Sequence, residues 1–217
     1  MKKQLLLSMI VLLVCSSFTI YAQELTADEL VARVEEKLLS IEDFSTMITT
    51  SQVQDKRIET AKILFKASQT QGLARAEVLE HWVFRGTILT VDQESMLVRN
   101  FTPILQQIIV SSLSDVGAEF GGVDITDVFA SFDFRGLDVE ILEVQQLDEG
   151  VEYIVELSGY LDHVQRIKIN HQFIPYYVEL FEDQMYIGSL LLEDIVLNPG
   201  FSKEVLTQLP EVGEIRF

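Results

Sequence analysis

The sequence predicts an α+β protein in which a curled antiparallel β-sheet forms a half-barrel, with its concave face covered by an N-terminal helix and a helical insert. Two observations predict this class. One segment near the start has helical spacing and capping residues, and two long stretches divide into short alternating runs separated by turns. Strands joined by only a few residues pair antiparallel, and a sheet of about ten such strands twists and curls.

The chain begins with the pattern of a secretory signal peptide over residues 1–22. Lys2 and Lys3 form a basic start, residues 5–14 are almost entirely apolar, and smaller residues lead to Ala22. The apolar part is too short to cross a bilayer, and no other segment reaches the roughly 18 apolar residues that a membrane span needs. We therefore expect cleavage after Ala22 and export to the periplasm of a bacterium.

The expected mature chain, residues 23–217, is a single domain without a cysteine, because Cys15 is the only one in the sequence. An alternative is a lipoprotein signal acylated on Cys15, although Val14 stands where such a signal has a small residue. Loss of Lys2 and Lys3 takes the formal net charge from −18 to −20. Such a charge disfavours nucleic acid and anionic surfaces as partners.

A helix is predicted from Thr26 to about Asp43. Thr26 and Glu29 have the spacing of a capping box, and Leu25 and Leu30 have that of a hydrophobic staple. The apolar positions at helical spacing are Leu30, Val34, Leu38 and Ile41. Five strands are then predicted, at residues 44–54, 58–67, 73–79, 83–91 and 96–101.

The helical insert is predicted to begin at Pro103, because proline suits the first position of a helix. Its apolar stripe consists of Leu105, Ile108, Ile109 and Leu113. Residues 114–136 are predicted to hold a glycine-rich loop and a short helical piece. A second set of strands is predicted at 139–145, 151–159, 164–170, 176–181 and 185–197, followed by a helical turn at 202–206 and a last strand at 212–217.

Several stretches resemble the bacterial outer-membrane lipoprotein carriers and their lipoprotein-sorting relatives, which have the LolA/LolB-like fold. The resemblance covers essentially the whole mature chain and rests on the order of its motifs. These are the helix-to-strand junction at 30–44, the strand at 75–78, the turn and strand at 86–92, and an ending formed by 173–176, 194–197 and Phe201. It implies a half-barrel of about 11 strands, closed by helices, whose cavity takes the acyl chains of lipoproteins.

The chain departs from that family in two places. In the best-studied carriers an Arg-Pro pair follows the second strand, and its arginine helps to hold a helical lid closed. Here Ala67, Ser68 and Gln69 occupy that place, and Ala74 replaces a usual aromatic residue. The lid and the cargo of this chain therefore need not be those of the family.

Bulky residues on both faces of several strands indicate more apolar surface than a sheet with one wet face requires. An apolar cavity explains this surplus, and so does a fully packed core or a protein interface. The predicted lining residues are Met47, Phe65, Trp82, Phe84, Leu89, Met96, Ile108, Phe129 and Phe132. Arg75 is predicted either to form a salt bridge within the sheet or to lie at the cavity mouth.

The sequence contains no motif of a catalytic nucleophile, a metal site or a phosphate-binding loop. Its three histidines, His81, His163 and His171, are scattered over turns and strand ends. We therefore expect no enzyme, metal or cofactor, and a hydrolase of envelope lipids lacks support.

The leading hypothesis is a monomeric periplasmic carrier that binds acyl chains of lipoproteins or lipids. It would hand them across the envelope, between an inner-membrane donor and an outer-membrane acceptor. The alternative is an envelope-stress regulator or adaptor that binds a membrane-protein partner through the same half-barrel.

Overall fold

The computed structural model describes residues 25–54, 57–113, 119–120, 123–124, 134, 136–160 and 163–216. Two helices lie within these residues, α1 at Ala27–Leu39 and α2 at Lys203–Thr207. Strands β1 to β14 are, in order, Asp43–Gln54, Arg57–Ser68, Leu73–Glu80, Ile88–Asp92, Leu97–Thr102, Gln107–Ser112, Glu119–Phe120, Val123–Asp124, Asp138–Leu147, Gly150–Tyr160, His163–Ile169, Pro175–Glu182, Met185–Leu197 and Gly213–Arg216. No helix among the described residues is long and apolar enough to span a bilayer. The expected signal peptide lies outside the described residues.

Helix α1 begins with the predicted capping box. The Thr26 hydroxyl accepts a hydrogen bond from the Glu29 backbone N–H at 3.3 Å, and the Glu29 carboxylate accepts one from the Thr26 N–H at 2.9 Å. Each bond satisfies an amide that the helix itself leaves free. The buried residues of this helix are Leu30 and Val34, one turn apart on one face. The helix is therefore fixed at its start and held by one apolar stripe.

Twelve strands form one open curled sheet in the order β14-β6-β5-β4-β3-β2-β1-β13-β12-β11-β10-β9, and β7 pairs only with β8. All neighbours in the sheet are antiparallel except β14 and β6. Strands β1 to β6 form one meander and β9 to β13 form another, and β1 joins them by pairing with β13. Gly188 permits this pairing, because a Cβ atom there would lie 2.7 Å from the Ser51 carbonyl oxygen.

The two faces of the sheet are covered differently. On one face, side chains from both meanders join Leu30 and Val34 of α1 in a single buried cluster. Since this face brings the two halves of the sheet together, it is the concave face. On the other, convex face, a smaller cluster contains Ile88, Phe101, Ile108 and Val110, packed against Leu209 and Val212 of the C-terminal segment.

The predicted fold class is confirmed, and most strands begin and end within a few residues of their predicted limits. The predicted helix at 103–113 is wrong, because Pro103 to Gln106 form a turn and the rest of the segment is strand β6. Ile108, Ile109 and Val110 are β-branched and alternate between the two faces, which suits a strand. The helical spacing of its apolar residues is coincidental.

Two further boundaries differ from the prediction. Helix α1 ends at Leu39 rather than near Asp43, and the buried Ile41 lies in the connection to β1. The predicted strand at 83–91 is shortened to β4, because the His81 side chain stabilises a turn before it. Its Nδ1 accepts hydrogen bonds from the backbone N–H groups of Val83 at 3.1 Å and Phe84 at 3.2 Å.

Replacing Thr26 by alanine tests the capping box. We expect T26A to lower the free energy of unfolding by about 1 kcal/mol, because the first turn loses its side-chain acceptor. T26S keeps the hydroxyl and should unfold as the unaltered protein does. Denaturant titrations at neutral pH measure both changes, and an unaltered midpoint for T26A would contradict the cap.

The same box has a pH dependence. The backbone N–H and the hydroxyl of Thr26 both donate hydrogen bonds to the Glu29 carboxylate, at 2.9 and 3.0 Å, and hold the pKa of Glu29 below its ordinary value. The Glu29 contribution to stability is therefore present above the ordinary pKa of a glutamate and is lost as the pH falls through its lowered pKa. Consequently, the stability difference between the unaltered protein and E29Q should narrow when the unfolding titrations are repeated in acid.

Candidate functional site

The concave face is an apolar floor built by the period-two alternation of the strands. Across β1 to β3, rows of side chains run side by side, for example Ile48, Ile63 and Val78, each of which is buried. The second meander supplies a matching wall, whose most buried members are Val155, Ile167 and Ile169. Alternation places all of these side chains on one face and the polar residues between them on the other.

One row of the concave face is shallow and remains partly exposed. It crosses β1 to β4 as Phe44, Ala67, Ala74 and Val91, which the strand register places side by side. All four are partly buried and pack against the central cluster. The two adjacent alanines place small side chains between larger apolar neighbours, at the end of the sheet where β1 begins.

A cleft of about 500 Å³ lies between α1 and the start of β9. Its apolar wall includes Val31, Phe134, Leu137 and Val139, all of which also belong to the central cluster or pack against it. Its remaining lining residues are Asp28, Ala32, Glu35, Gly136 and Asp138. The cleft is thus lined both by carboxylates and by apolar side chains that belong to, or pack against, the central cluster.

The structure divides the predicted lining residues between the two faces. Phe65 and Leu89 lie on the concave face and are buried, with the Phe65 ring 5.3 Å from that of Phe44. Met47 instead lies on the convex face, where it is opposite Leu64 and Glu193. Ile108 also lies on the convex face, in the smaller cluster. A one-residue difference in position within a strand selects the opposite face, which residue type alone could not reveal.

Arg75 occupies the convex face too. Its guanidinium lies 3.1 Å from the Glu77 carboxylate and donates a second hydrogen bond to the Gln208 carbonyl oxygen, which follows α2. Its side chain thus has the structural position that was one of the two predictions, linking β3 to the C-terminal segment, and does not face the concave floor.

Three other predicted lining residues are exposed in turns. Trp82 and Phe84 belong to the β3–β4 loop, where the His81 ring stacks on both, and Trp82 is 82% exposed. Met96 is half exposed in the β4–β5 turn. Phe129 and Phe132 lie outside the described residues.

Trp82 and Phe84 belong to a larger exposed group at one end of the sheet, which we call the tip surface. The β3–β4 loop touches the β5–β6 turn, since a Cβ atom on Gly86 would lie 3.2 Å from Pro103 Cγ. Strand register places the end of β1 and the start of β2 at the same end of the sheet. The exposed apolar residues of these two strand ends, of the β3–β4 loop and of the β5–β6 turn are Val53, Ile58, Trp82, Phe84, Ile104 and Leu105.

The tip surface differs in charge from the rest of the chain. Among the described residues of segments 53–58, 80–86 and 102–106, two are basic, Arg57 and Arg85, and one is acidic, Glu80, whereas the chain has 16 basic and 34 acidic residues. An apolar surface of this kind, poor in acidic groups, can approach a lipid surface that the chain as a whole would repel.

The convex face of the second meander is polar and internally paired. Glu152 is 5% exposed, accepts a hydrogen bond from the Tyr176 hydroxyl, and lies 3.8 Å from the Lys168 ammonium group. Burial and the neighbouring Glu152 carboxylate raise the pKa of Tyr176 far above its ordinary value. These partners satisfy Glu152, so the network has a structural explanation.

Nothing in the described part of the chain groups three or more metal-ligating side chains. His81 orders its own turn, while His163 begins β11 and His171 lies in the turn before β12. The most extensive feature of the described residues is therefore the apolar concave face.

No protein-family model matches the chain, and no curated protein matches its sequence. Solved structures do match. An uncharacterized conserved protein from Thermus thermophilus is 14% identical, with a TM-score of 0.61 over 88% of this chain and 99% of that one. The lipoprotein LppX from Mycobacterium tuberculosis is 11% identical, with a TM-score of 0.50 over 82% of this chain and 99% of that one.

MucB in complex with MucA(peri) is 10% identical, with a TM-score of 0.51 over 86% of this chain and 61% of the MucB chain. A LolA superfamily protein from Nitrosomonas europaea also matches, at a TM-score of 0.43. At these identities the likeness is one of fold. The chain shares its fold with LppX and with the matched part of MucB.

Proposed function

We propose that this protein is a non-catalytic periplasmic carrier that holds acyl chains of lipoproteins or other lipids against the concave face. The observation that supports it most directly is the extended apolar cluster on the concave face, part of which lines the cleft between α1 and β9. The shallow row of Phe44, Ala67, Ala74 and Val91 offers a second partly exposed apolar surface on that face. Residues 23–217 would form the mature carrier.

The energetics suit a carrier without an energy source of its own. Each methylene group sheltered from water contributes about 0.8 kcal/mol, so about eight of them contribute about 6 kcal/mol before the cost of ordering the chain is subtracted. Such binding is reversible, and the cargo transfers to any acceptor whose affinity for the acyl chain is higher. Inner-membrane donor and outer-membrane acceptor proteins would then set the direction.

An adaptor that binds a membrane-protein partner is the second candidate. The likeness to MucB favours it, since MucB was solved in complex with MucA(peri) and shares the fold. This chain spans about 61% of that MucB chain. Native mass spectrometry of the protein purified from the envelope separates the two candidates: a carrier arrives with acylated species, and an adaptor with one stoichiometric protein and no lipid.

Filling the shallow row tests the carrier proposal. In A74F a ring covers the small side chains between Phe44 and Val91, and we expect the affinity for a fluorescent fatty-acid analogue to fall about tenfold, since a bound chain loses apolar contact there. S51F is the control, because Ser51 lies on β1 and points to the convex face. Fluorescence titration measures both variants, and circular dichroism verifies that each is folded. Equal affinities in folded A74F and S51F would argue against binding on the concave face.

We further propose that the carrier meets its membranes through the tip surface. Trp82 is the only tryptophan, so its emission reports on this surface alone. Addition of vesicles of phosphatidylethanolamine and phosphatidylglycerol should shift that emission to shorter wavelengths, because an indole ring moves from water into the interfacial region.

The I104S/L105S double variant provides the matching loss of function. Each apolar side chain contributes about 1.5–3 kcal/mol when buried, so vesicle affinity should fall at least tenfold. L39S is the control, since Leu39 is 82% exposed at the end of α1. An emission that vesicles leave unchanged, or an equal loss in L39S, would rule out this docking surface.

A further inference from the structure

Among the described residues, three polar atoms of the concave face are buried without a hydrogen-bond partner. They are Oδ1 of Asn100 on β5, Oε1 of Gln165 on β11, and Nδ1 of His163, two residues earlier on the same strand. A buried polar atom left unpaired costs about 1–3 kcal/mol, so native proteins rarely keep one without a purpose. Two other unpaired atoms belong to Thr90, on the convex face, and to Asp43, whose second carboxylate oxygen accepts a hydrogen bond at 3.1 Å from Phe201.

The register places both amide side chains among apolar neighbours. Asn100 is paired with Leu89 and with Ile109 on the adjacent strands. Gln165 lies between Leu157 and Leu180 in the same way. In each case a carbonyl oxygen points from a strand into surroundings that offer it no donor.

Their strands occupy equivalent places in the sheet. β5 is third from the β14 edge, and β11 is third from the β9 edge. Because the sheet curls, these two strands form opposite walls of the half-barrel. The concave floor therefore carries one unpaired acceptor on each wall.

Gln165 is also close to the cleft beside α1. Val139 lines that cleft and pairs with Leu157, which in turn pairs with Gln165. Neighbouring strands lie about 4.8 Å apart, so Gln165 is about 10 Å inside the cleft wall, at the same level of the concave face. The cleft and this carbonyl oxygen are thus separated by the width of two strands.

The chemistry of a carbonyl oxygen defines what can satisfy it. It accepts hydrogen bonds and cannot donate them, so its partner needs an N–H or O–H group. Hydrocarbon, an ester group and an ionised carboxylate all lack that donor, and an acyl amide has it. A fatty-acid anion also meets the electrostatic repulsion of a chain with a formal net charge of −18.

We propose that the concave face selects acyl amides, and that Gln165 accepts a hydrogen bond from the amide N–H of the cargo, with Asn100 as a second acceptor on the opposite wall. This inference rests on the proposed function and names the class of cargo. Such a site discriminates strongly between ligands with and without an N–H group, because a ligand that lacks the donor leaves the buried carbonyl oxygen unpaired.

Competition between three ligands with the same hydrocarbon chain tests the proposal. Oleamide, methyl oleate and oleate are titrated against the full exported protein carrying the fluorescent probe N-phenyl-naphthylamine. We expect oleamide to displace the probe at about tenfold lower concentration than methyl oleate. Q165L should reduce that ratio to twofold or less, with little change for the ester, and N100L should reduce it by a smaller amount.

Q52L is the matched control. Gln52 lies on β1 at the same level of the sheet as Gln165, and its side chain is exposed to solvent. Its amide therefore has water as a partner, and its replacement should leave the ratio between oleamide and methyl oleate unchanged.

Thermal unfolding of the unliganded protein provides an independent measurement. Replacing an unpaired buried amide by leucine removes a desolvation cost, so Q165L and N100L should raise Tm by about 3 °C while reducing selectivity. A lower Tm would show that the carbonyl is satisfied in the free protein and would overturn the proposal. Equal displacement by amide and ester, a preference for the ester or the carboxylate, or a ratio that Q165L leaves intact would also overturn it.

The carrier proposal fails in a different way. If none of the three ligands displaces the probe and the probe itself does not bind, then the concave face does not take hydrocarbon and both proposals are overturned. If all three bind with equal affinity, the carrier proposal stands and only the selectivity is lost.

Discussion

The structure depends on the need to bury one face of a very wide antiparallel sheet. Twelve strands place alternate apolar side chains on the same side, and α1 contributes only Leu30 and Val34 as buried residues against them. Curling solves much of this problem, because it brings the wall that contains Val155 and Ile167 towards the floor that contains Phe65. Burial of apolar surface thus sets the curvature, and the curvature creates the interior on which every functional proposal rests.

Sequence patterns predicted the fold well where local signals agree with tertiary structure. The capping box at Thr26 and Glu29 fixed the start of α1, and the alternating runs gave most of the strands. The pattern failed at Ile108 and Ile109, where helical spacing competed with β-branched side chains and with a turn at Pro103. Pairing with β5 decided that competition in favour of a strand, and such long-range pairing cannot be seen in a local window.

The site was less predictable than the fold. Phe65 and Leu89 lie on the concave face, as predicted. Met47 lies on the convex face, because side chains alternate between the faces of a strand and a shift of one residue changes the face. The lining residues predicted from residue type are all large and apolar. The residues on which the proposals depend, such as Ala74 and Gln165, are small or polar, and their neighbours are known only from the strand register. The likeness to solved structures gives the fold, whereas function has to be argued from these positions.

The pairing of β1 with β13 has a consequence for how the molecule acquires its shape. Phe44 of β1 lies opposite Leu197 of β13. The two meanders can therefore join only after both strands, which are far apart in the sequence, have formed. Contacts so distant along the chain slow the search for the native arrangement, since a long loop must close before any of them forms. Until the meanders join, each of them has an exposed edge strand whose backbone N–H and C=O groups are unpaired. Chaperones protect such edge strands from aggregation. The rate of folding should accordingly be limited by one late step, the pairing of β1 with β13.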